Sequence, residues 1–83
     1  MATKYTLAYV VREARGRKLW TQDDLATHAH ISLQTIRDIE QGVIKNYSLI
    51  TLYKLEQTLG VPERYFVKKS EKEYKESLKG KEK

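Results

Sequence analysis

The chain has 83 residues, of which 40% are hydrophobic and 33% are charged, and its formal net charge is +5; this length predicts one domain with a small core. Cysteine is absent, which excludes disulfides, thiolate zinc sites and thiol nucleophiles. No apolar run approaches the roughly 20 residues that span a bilayer, and the first residues lack an apolar signal segment, so we expect a cytoplasmic protein with no membrane partner.

The charge is unevenly distributed along the chain. The formal charge is +4 over residues 1–20, −3 over residues 21–42, +1 over residues 43–67 and +3 over residues 68–83. A basic total is typical of proteins whose partner is a polyanion such as nucleic acid. The acidic middle segment weakens a purely electrostatic attraction to DNA.

Apolar residues at helical spacing predict three short helices in the first half of the chain. The first covers Tyr5–Arg15. The second begins after Thr21, an N-cap that is followed by two acids in the first turn, where the helix dipole favours them. The third covers Leu33–Gln41 and follows the N-cap Ser32.

The second half of the chain predicts two more helices and no strand. One begins after the N-cap Ser48 and buries a stripe of leucines at positions 49, 52, 55 and 59. The other starts at Val61-Pro62, with proline in the first turn, where its missing N–H costs nothing. Glycines that are expected to end helices are Gly16, Gly42 and Gly60.

The composition changes after residue 67. We therefore expect a folded domain over residues 1–67 and a charged, lysine-rich tail over residues 68–83. Glutamate and lysine at i,i+4 spacing leave two alternatives for the tail, a helical extension or a disordered segment.

Residues of the second, third and fourth predicted helices match one known pattern. The matching runs are Thr21-Gln22-x-x-Leu25-Ala26, then Ile31-Ser32-x-x-Thr35-Ile36-x-x-Ile39-Glu40-x-Gly42, then the four leucines followed by Gly60-Val61. Over residues 5–67 the chain resembles the phage-repressor and Cro-type (xenobiotic response element) helix-turn-helix family. The resemblance implies an all-α, five-helix, lambda-repressor-like DNA-binding domain, and the short connection between the second and third helices agrees with it.

The resemblance implies that the helix over residues 32–41 enters the major groove of DNA. Gln34 can then read adenine, and Arg37 can read guanine or neutralise a phosphate. Leu33 can cover a thymine methyl group or belong to the core, and Asp38 can accept from a cytosine amine or orient Arg37. The residues expected at phosphates are Thr21, Gln22, Ser32, Thr35, Lys45 and Asn46.

Three residues receive structural roles from the same resemblance. Ala26 lies where the second helix crosses the third, and Glu40 pairs with Arg15 of the first helix. The chain departs from the family pattern at His30, where glycine is usual. This position is expected to need a positive φ, which histidine adopts with some strain.

The predicted function is that of a sequence-specific transcriptional regulator, a repressor that binds double-stranded DNA as a homodimer. The expected dimer contacts are Tyr65, Phe66 and Val67, joined by Tyr74 and Leu78 if the last helix continues. In the alternative, Phe66 only closes the core.

A second hypothesis assigns the same fold to a regulator or antitoxin that binds a protein partner. An enzyme is not expected, because the sequence has no glycine-rich phosphate loop, nucleophile elbow or zinc-binding histidine pair. For the same reason we expect no catalytic residue, metal ligand or cofactor.

Overall fold

The computed structural model describes residues 6–81, with side chains described for residues 6–79. Over this range the chain is all-α and contains no strand, which confirms the predicted fold class. The five helices are α1 (Leu7–Arg17), α2 (Gln22–Ala29), α3 (Leu33–Glu40), α4 (Leu49–Leu59) and α5 (Tyr65–Lys81). Residue Tyr5, the predicted start of the first helix, lies outside the described residues.

The first four helices each begin at a hydroxyl N-cap. The side chains of Thr6, Thr21, Ser32 and Ser48 each accept a hydrogen bond from the backbone N–H three residues later. At Thr21 the carboxylate of Asp24 also accepts from the N-cap N–H at 2.9 Å, which completes a capping box. The three caps predicted from the sequence are confirmed.

Left-handed residues end the helices, although not always at the predicted glycine. Gly42 and Gly60 have φ of 84° and 71°, and His30 has φ of 58°, as the pattern predicted. Gly16 was expected to end the first helix and instead lies inside α1. The chain leaves α1 later, through Leu19 at φ 59°.

The start of α5 also differs from the sequence prediction. Pro62 was expected in its first turn, but the helix begins at Tyr65, after a turn in which Arg64 has φ of 69°. The backbone N–H groups at this end are bonded by the buried carboxylate of Glu56 in α4. A partner from another helix, which local sequence does not reveal, therefore sets where α5 begins.

One hydrophobic core is formed by buried residues from all five helices. Helix α3 packs on α1 and α2, and α5 packs on α4 and α1. Buried core residues are Leu7, Val11, Leu25, Ala26, Ala29, Ile36, Ile39, Tyr47, Leu52, Leu55, Leu59, Phe66 and Val67. Leu49 was expected to join the buried stripe of α4, but it lies in the first turn at the rim of the core and is 65% exposed.

The predicted dimer residues are divided between the core and the surface. Phe66 is 0% exposed and Val67 is 6% exposed, so both close the core between α4 and α5. This placement corrects the expectation that they line a surface patch, and it matches the alternative given for Phe66. Tyr65 is 37% exposed and faces a groove beside α1, whereas Tyr74 faces a groove beside α4. These two tyrosines therefore do not belong to one patch.

Helix α5 continues through the charged segment to Lys81. Its residue Glu73 reaches back to α1 and accepts a hydrogen bond of 2.8 Å from the N–H of Leu7. This bond joins the extension to the start of the fold. None of the helices within residues 6–81 has the length and apolar content needed to cross a membrane.

Candidate nucleic-acid interface

A tight turn over residues 30–32 joins α2 to α3. The N–H of Ile31 donates to the carbonyl of Ala26 at 3.0 Å, and the left-handed backbone of His30 redirects the chain. Ala26 is buried on α2, and Ile36 and Ile39 are buried on α3. Because small and branched side chains fill the space between the two helices, the core fixes how α3 is presented.

An ion pair between α1 and α3 fixes the far end of α3. Arg15 Nε lies 2.7 Å from Glu40 Oε2, and Arg15 Nη2 lies 2.8 Å from Glu40 Oε1. Glu40 is 3% exposed, and its Oε1 also accepts from Gln22 Nε2 of α2 at 3.0 Å. The hydrogen bond to Glu40, together with the charge of its carboxylate, raises the pKa of Arg15 despite partial burial. Three helices are therefore joined at one buried carboxylate.

The outer face of α3 carries the polar residues expected to read bases. Gln34 and Arg37 are exposed, and Asp38 is partly exposed. Gln34 Nε2 donates to Asp38 Oδ1 at 2.9 Å, while the guanidinium of Arg37 has no hydrogen bond or ion pair within residues 6–79. The expectation that Asp38 orients Arg37 is therefore not met. Its partners are Gln34 and a lysine of the next loop.

That lysine is Lys45, whose Nζ lies 3.3 Å from Asp38 Oδ2. The pKa of Asp38 is lowered, first by the hydrogen bond from Gln34 and then by the bond and charge of Lys45, against the opposing effect of burial. The carboxylate of Asp38 therefore stays ionised and acts only as an acceptor.

The sequence allowed Leu33 either a place in the core or a place on the outer face of α3, and the structure shows part of each. Leu33 is partly buried and packs against the core, so only part of its side chain lies on the outer face of α3.

The residues expected at phosphates lie at the beginnings of α2 and α3 and in the following loop. Ser32 donates its hydroxyl hydrogen to Thr35 Oγ1 at 2.9 Å, and both residues remain close to the exposed start of α3. Thr21 is exposed at the start of α2, but the amide of Gln22 is turned inward to Glu40. Lys45 and Asn46 are both exposed in the loop between α3 and α4. The six residues expected at phosphates are thus Thr21, Gln22, Ser32, Thr35, Lys45 and Asn46.

Tyr47 anchors this loop to the fold. Its hydroxyl donates to the carbonyl of Val43 at 2.8 Å, and its ring is buried. Burial, followed by the charge of Asp38, raises the pKa of Tyr47 to about 12. The ammonium of Lys45 lies 5.3 Å from the centre of the same ring, so the loop holds Lys45 between Tyr47 and α3.

Sequence reasoning missed an aromatic contact beside the ion pair. The rings of Trp20 and His28 stack with centres 4.3 Å apart and an angle of 4° between their planes. The carbonyl of Trp20 also accepts from Arg15 Nη1 at 2.8 Å. His28 lies on α2, and Trp20 lies in the connection that precedes this helix, eight residues earlier in the chain.

The carboxylates of Glu56 and Glu73 were missed for a different reason. Glu73 lies among charges that indicate a solvated surface, and Glu56 lies on a mostly apolar helix, yet each caps another helix. For Glu56 a signal existed, because its position at i+4 from Leu52 places it on the buried face of α4. Within residues 6–81, no three His, Asp or Glu side chains form a group that could hold a metal ion.

The amino-acid sequence of the chain matches a known protein family. Residues 11–66 match the family described as "Helix-turn-helix", whose members are of the Cro/C1 type. The chain belongs to this helix-turn-helix family. The resemblance identified from the sequence is therefore confirmed, and the matched residues include α2, α3 and the turn between them. No curated protein and no solved structure shows a significant match to the chain.

Membership of the helix-turn-helix family identifies the kind of function. The domain is a DNA-binding regulator module, and DNA is its partner. Domains of this kind are typically not enzymes.

Proposed function

We propose that this helix-turn-helix protein is a sequence-specific transcriptional repressor that inserts α3 into the major groove of double-stranded DNA. The observation that carries the proposal is the division of α3 into two faces. Ile36 and Ile39 hold one face in the core, while Gln34 and Arg37 project from the other. A helix fits the major groove, where base edges differ for every base pair.

The base contacts follow from the chemistry of the exposed side chains. Arg37, whose guanidinium has no partner within residues 6–79, is suited to guanine or to a phosphate. Gln34 is suited to adenine, and the exposed part of Leu33 to a thymine methyl group. The carboxylate oxygens of Asp38 are already bonded to Gln34 and Lys45, so we assign no base of its own to Asp38.

Phosphates would be held by the beginnings of two helices and by the loop that follows α3. The first N–H groups of a helix attract anions, and the beginnings of α2 and α3 are both exposed. The proposed contacts are Thr21, the backbone of Gln22, Ser32, Thr35, Lys45 and Asn46. For Gln22 only the backbone is proposed, because its amide is bonded to Glu40.

We further propose that two copies bind a near-palindromic site. A single module of this size buries only roughly 600–1,000 Å² on DNA, and two-fold pairs read half-sites whose centres are about 34–36 Å apart. Of the predicted dimer residues, Tyr65 and Leu78 remain exposed, and we propose Tyr65 as the interface contact. Sedimentation of the wild type and of Tyr65→Ala, each with and without DNA, tests its role. An unchanged dimer would remove Tyr65 from the interface.

Selection of bound sequences from a random duplex pool is the test of the function. We expect a preferred, two-fold symmetric sequence, and affinity that falls steeply with salt because counterions leave the neutralised phosphates. Arg37→Ala should weaken binding to the preferred sequence more than binding to random DNA. Lys72→Ala removes the same charge from an exposed position on α5 and is the matched control. Equal losses in the two variants would contradict recognition through α3.

The alternative function, a regulator or antitoxin that binds a protein partner, has its own support. Residues 21–42 carry a formal charge of −3, and α4 exposes Leu49, Ile50 and Tyr53 beside one another. Absence of duplex binding at low salt, together with a folded protein, would favour this alternative over DNA recognition.

A further inference from the structure

We infer that Asp38 is a positioning residue that fixes the amide of Gln34 so that α3 selects adenine and rejects guanine. This inference rests on the proposed function, because it concerns how α3 reads the DNA that it is proposed to bind. It assigns to Asp38 a role that acts through Gln34 and involves no contact between Asp38 and a base.

The geometry of the pair determines which end of the amide faces the carboxylate. Gln34 and Asp38 lie one turn apart on α3, and the nitrogen of Gln34 is 2.9 Å from an oxygen of Asp38. An ionised carboxylate can only accept hydrogen bonds. The amide oxygen would be repelled from the same place, so the nitrogen must face Asp38 and the oxygen must point away.

The carboxylate is itself held from a second direction. Lys45 lies in the loop after α3, and its ammonium is 3.3 Å from the other oxygen of Asp38. Tyr47 anchors this loop through its hydroxyl bond to the carbonyl of Val43. Asp38 therefore accepts from its own helix through one oxygen and from the loop through the other. The lysine also offsets a negative charge that phosphates would otherwise repel.

Counting hydrogens shows what this arrangement leaves for DNA. The Gln34 amide has two N–H hydrogens and one oxygen, and Asp38 holds one hydrogen. One donor and one acceptor remain side by side, which matches adenine, with its N7 acceptor and N6 donor. Guanine presents two acceptors, N7 and O6. An unrestrained glutamine could turn both hydrogens toward guanine, but one held by Asp38 cannot.

A double-mutant cycle in base preference tests the inference. The position read by Gln34 is first identified as the one where Gln34→Ala abolishes preference in the selected sequence. Affinities are then measured for matched duplexes with adenine or guanine at that position. We expect the wild type to prefer adenine by about 5- to 150-fold, the range for one good bidentate contact. Asp38→Ala should reduce this preference about three- to tenfold, the equivalent of one net hydrogen bond.

Two further variants separate positioning from other roles. In the Gln34→Ala background, Asp38→Ala should change the preference no further, because Asp38 acts through Gln34. Lys45→Met removes a charge from the same network and leaves the bond between Gln34 and Asp38 intact. It should weaken binding to both duplexes equally and keep the preference for adenine.

Four results would overturn the inference while leaving the proposed function standing. The first two are a wild-type preference for another base at this position and an unchanged preference in Asp38→Ala. The other two are an effect of Asp38→Ala that persists without Gln34, and a loss of preference in Lys45→Met as large as that in Asp38→Ala. Failure of the wild type to select any sequence would instead contradict the proposed function itself.

Discussion

Glu56 in α4 accepts a hydrogen bond of 3.0 Å from the backbone N–H of Phe66 in α5. The same carboxylate accepts from the N–H groups of Arg64 at 2.9 Å and Val67 at 3.2 Å, and Glu56 is 1% exposed. The first N–H groups of a helix have no partner inside that helix. A side chain from α4 therefore caps α5, and the cap forms only when the two helices dock.

Loss of this cap should destabilise the protein more than loss of an ordinary surface acid. We expect Glu56→Ala to lower the free energy of unfolding by about 3 kcal/mol, because it leaves buried N–H groups unbonded. Glu56→Gln keeps one accepting oxygen and should lose less. Glu63→Ala removes a nearby exposed carboxylate and should change stability by no more than about 0.5 kcal/mol. Urea denaturation followed by circular dichroism measures all three, and equal effects at positions 56 and 63 would contradict the capping role.

The ion pair between Arg15 and Glu40 should show strong coupling. Arg15→Met leaves the buried Glu40 carboxylate with only Gln22 as a side-chain partner, and we expect a loss of about 3 kcal/mol. The double variant Arg15→Met/Glu40→Leu removes both charges and should recover much of this loss. Denaturation of the single and double variants gives the coupling energy. Additive losses would show that the pair contributes nothing as a pair.

Replacing His30 with glycine should stabilise the turn between α2 and α3. A left-handed backbone costs a non-glycine residue roughly 1–2 kcal/mol, and the greater freedom of unfolded glycine offsets part of that gain. We expect His30→Gly to raise the free energy of unfolding by up to about 1 kcal/mol and the melting temperature by about 4–8 °C per kcal/mol. Thr27→Gly, at an exposed position inside α2, should do the reverse. A lower melting temperature in both variants would contradict the strain at His30.

Tyr47 should make stability depend on alkaline pH. Burial raises its pKa to about 12, above the ordinary value near 10. The folded state thus favours the neutral phenol. The contribution of this phenol to the free energy of unfolding is complete below about pH 10 and is lost as pH rises toward 12. Tyr47→Phe should cost about 1 kcal/mol at pH 7 through the lost hydrogen bond, and the gap from the wild type should narrow between about pH 10 and 12.

The control for this titration is Tyr53→Phe, which removes a hydroxyl from an exposed tyrosine. Denaturation at a series of pH values compares both variants with the wild type. A gap between Tyr47→Phe and the wild type that stays constant through pH 12 would contradict the stabilising role of the neutral phenol.

A larger side chain at Ala26 should disturb stability and DNA binding together. Ala26 of α2 is 8% exposed and packs in the core. Ala26→Leu should therefore lower the free energy of unfolding by about 1–3 kcal/mol through overpacking. We also expect binding to the selected duplex to be lost, because α3 is displaced. Thr27→Leu adds bulk at the exposed neighbouring position and should leave both properties nearly unchanged. Normal DNA binding by Ala26→Leu would contradict the close approach of α2 and α3.

The proposed interface shows both the reach and the limit of sequence reasoning. Helical spacing was enough to place Gln34 and Arg37 on the outer face of α3, because one face of an amphipathic helix is repeated every turn. Helical spacing also indicates the bond from Gln34 to Asp38, because the two residues are four apart on one helix, but the contact with Lys45 was not predictable in the same way. The neighbour of Asp38 in sequence, Arg37, makes no bond to it within residues 6–79, and Lys45 reaches it from a loop that Tyr47 anchors through the carbonyl of Val43.

The sequence by itself determined that there are five helices, the hydroxyl caps of α2, α3 and α4 and, through the family resemblance, the left-handed turn at His30. These features depend on interactions within a few residues, such as the bond from the N–H of Asp24 to Thr21 Oγ1, and local sequence encodes such interactions directly. Only the tertiary structure decided that Phe66 is buried while Leu49 is exposed, and that the carboxylate of Glu56 in α4 caps the start of α5. Burial and capping between helices depend on which surfaces meet after the chain has folded, and residues that are adjacent in sequence do not carry that information.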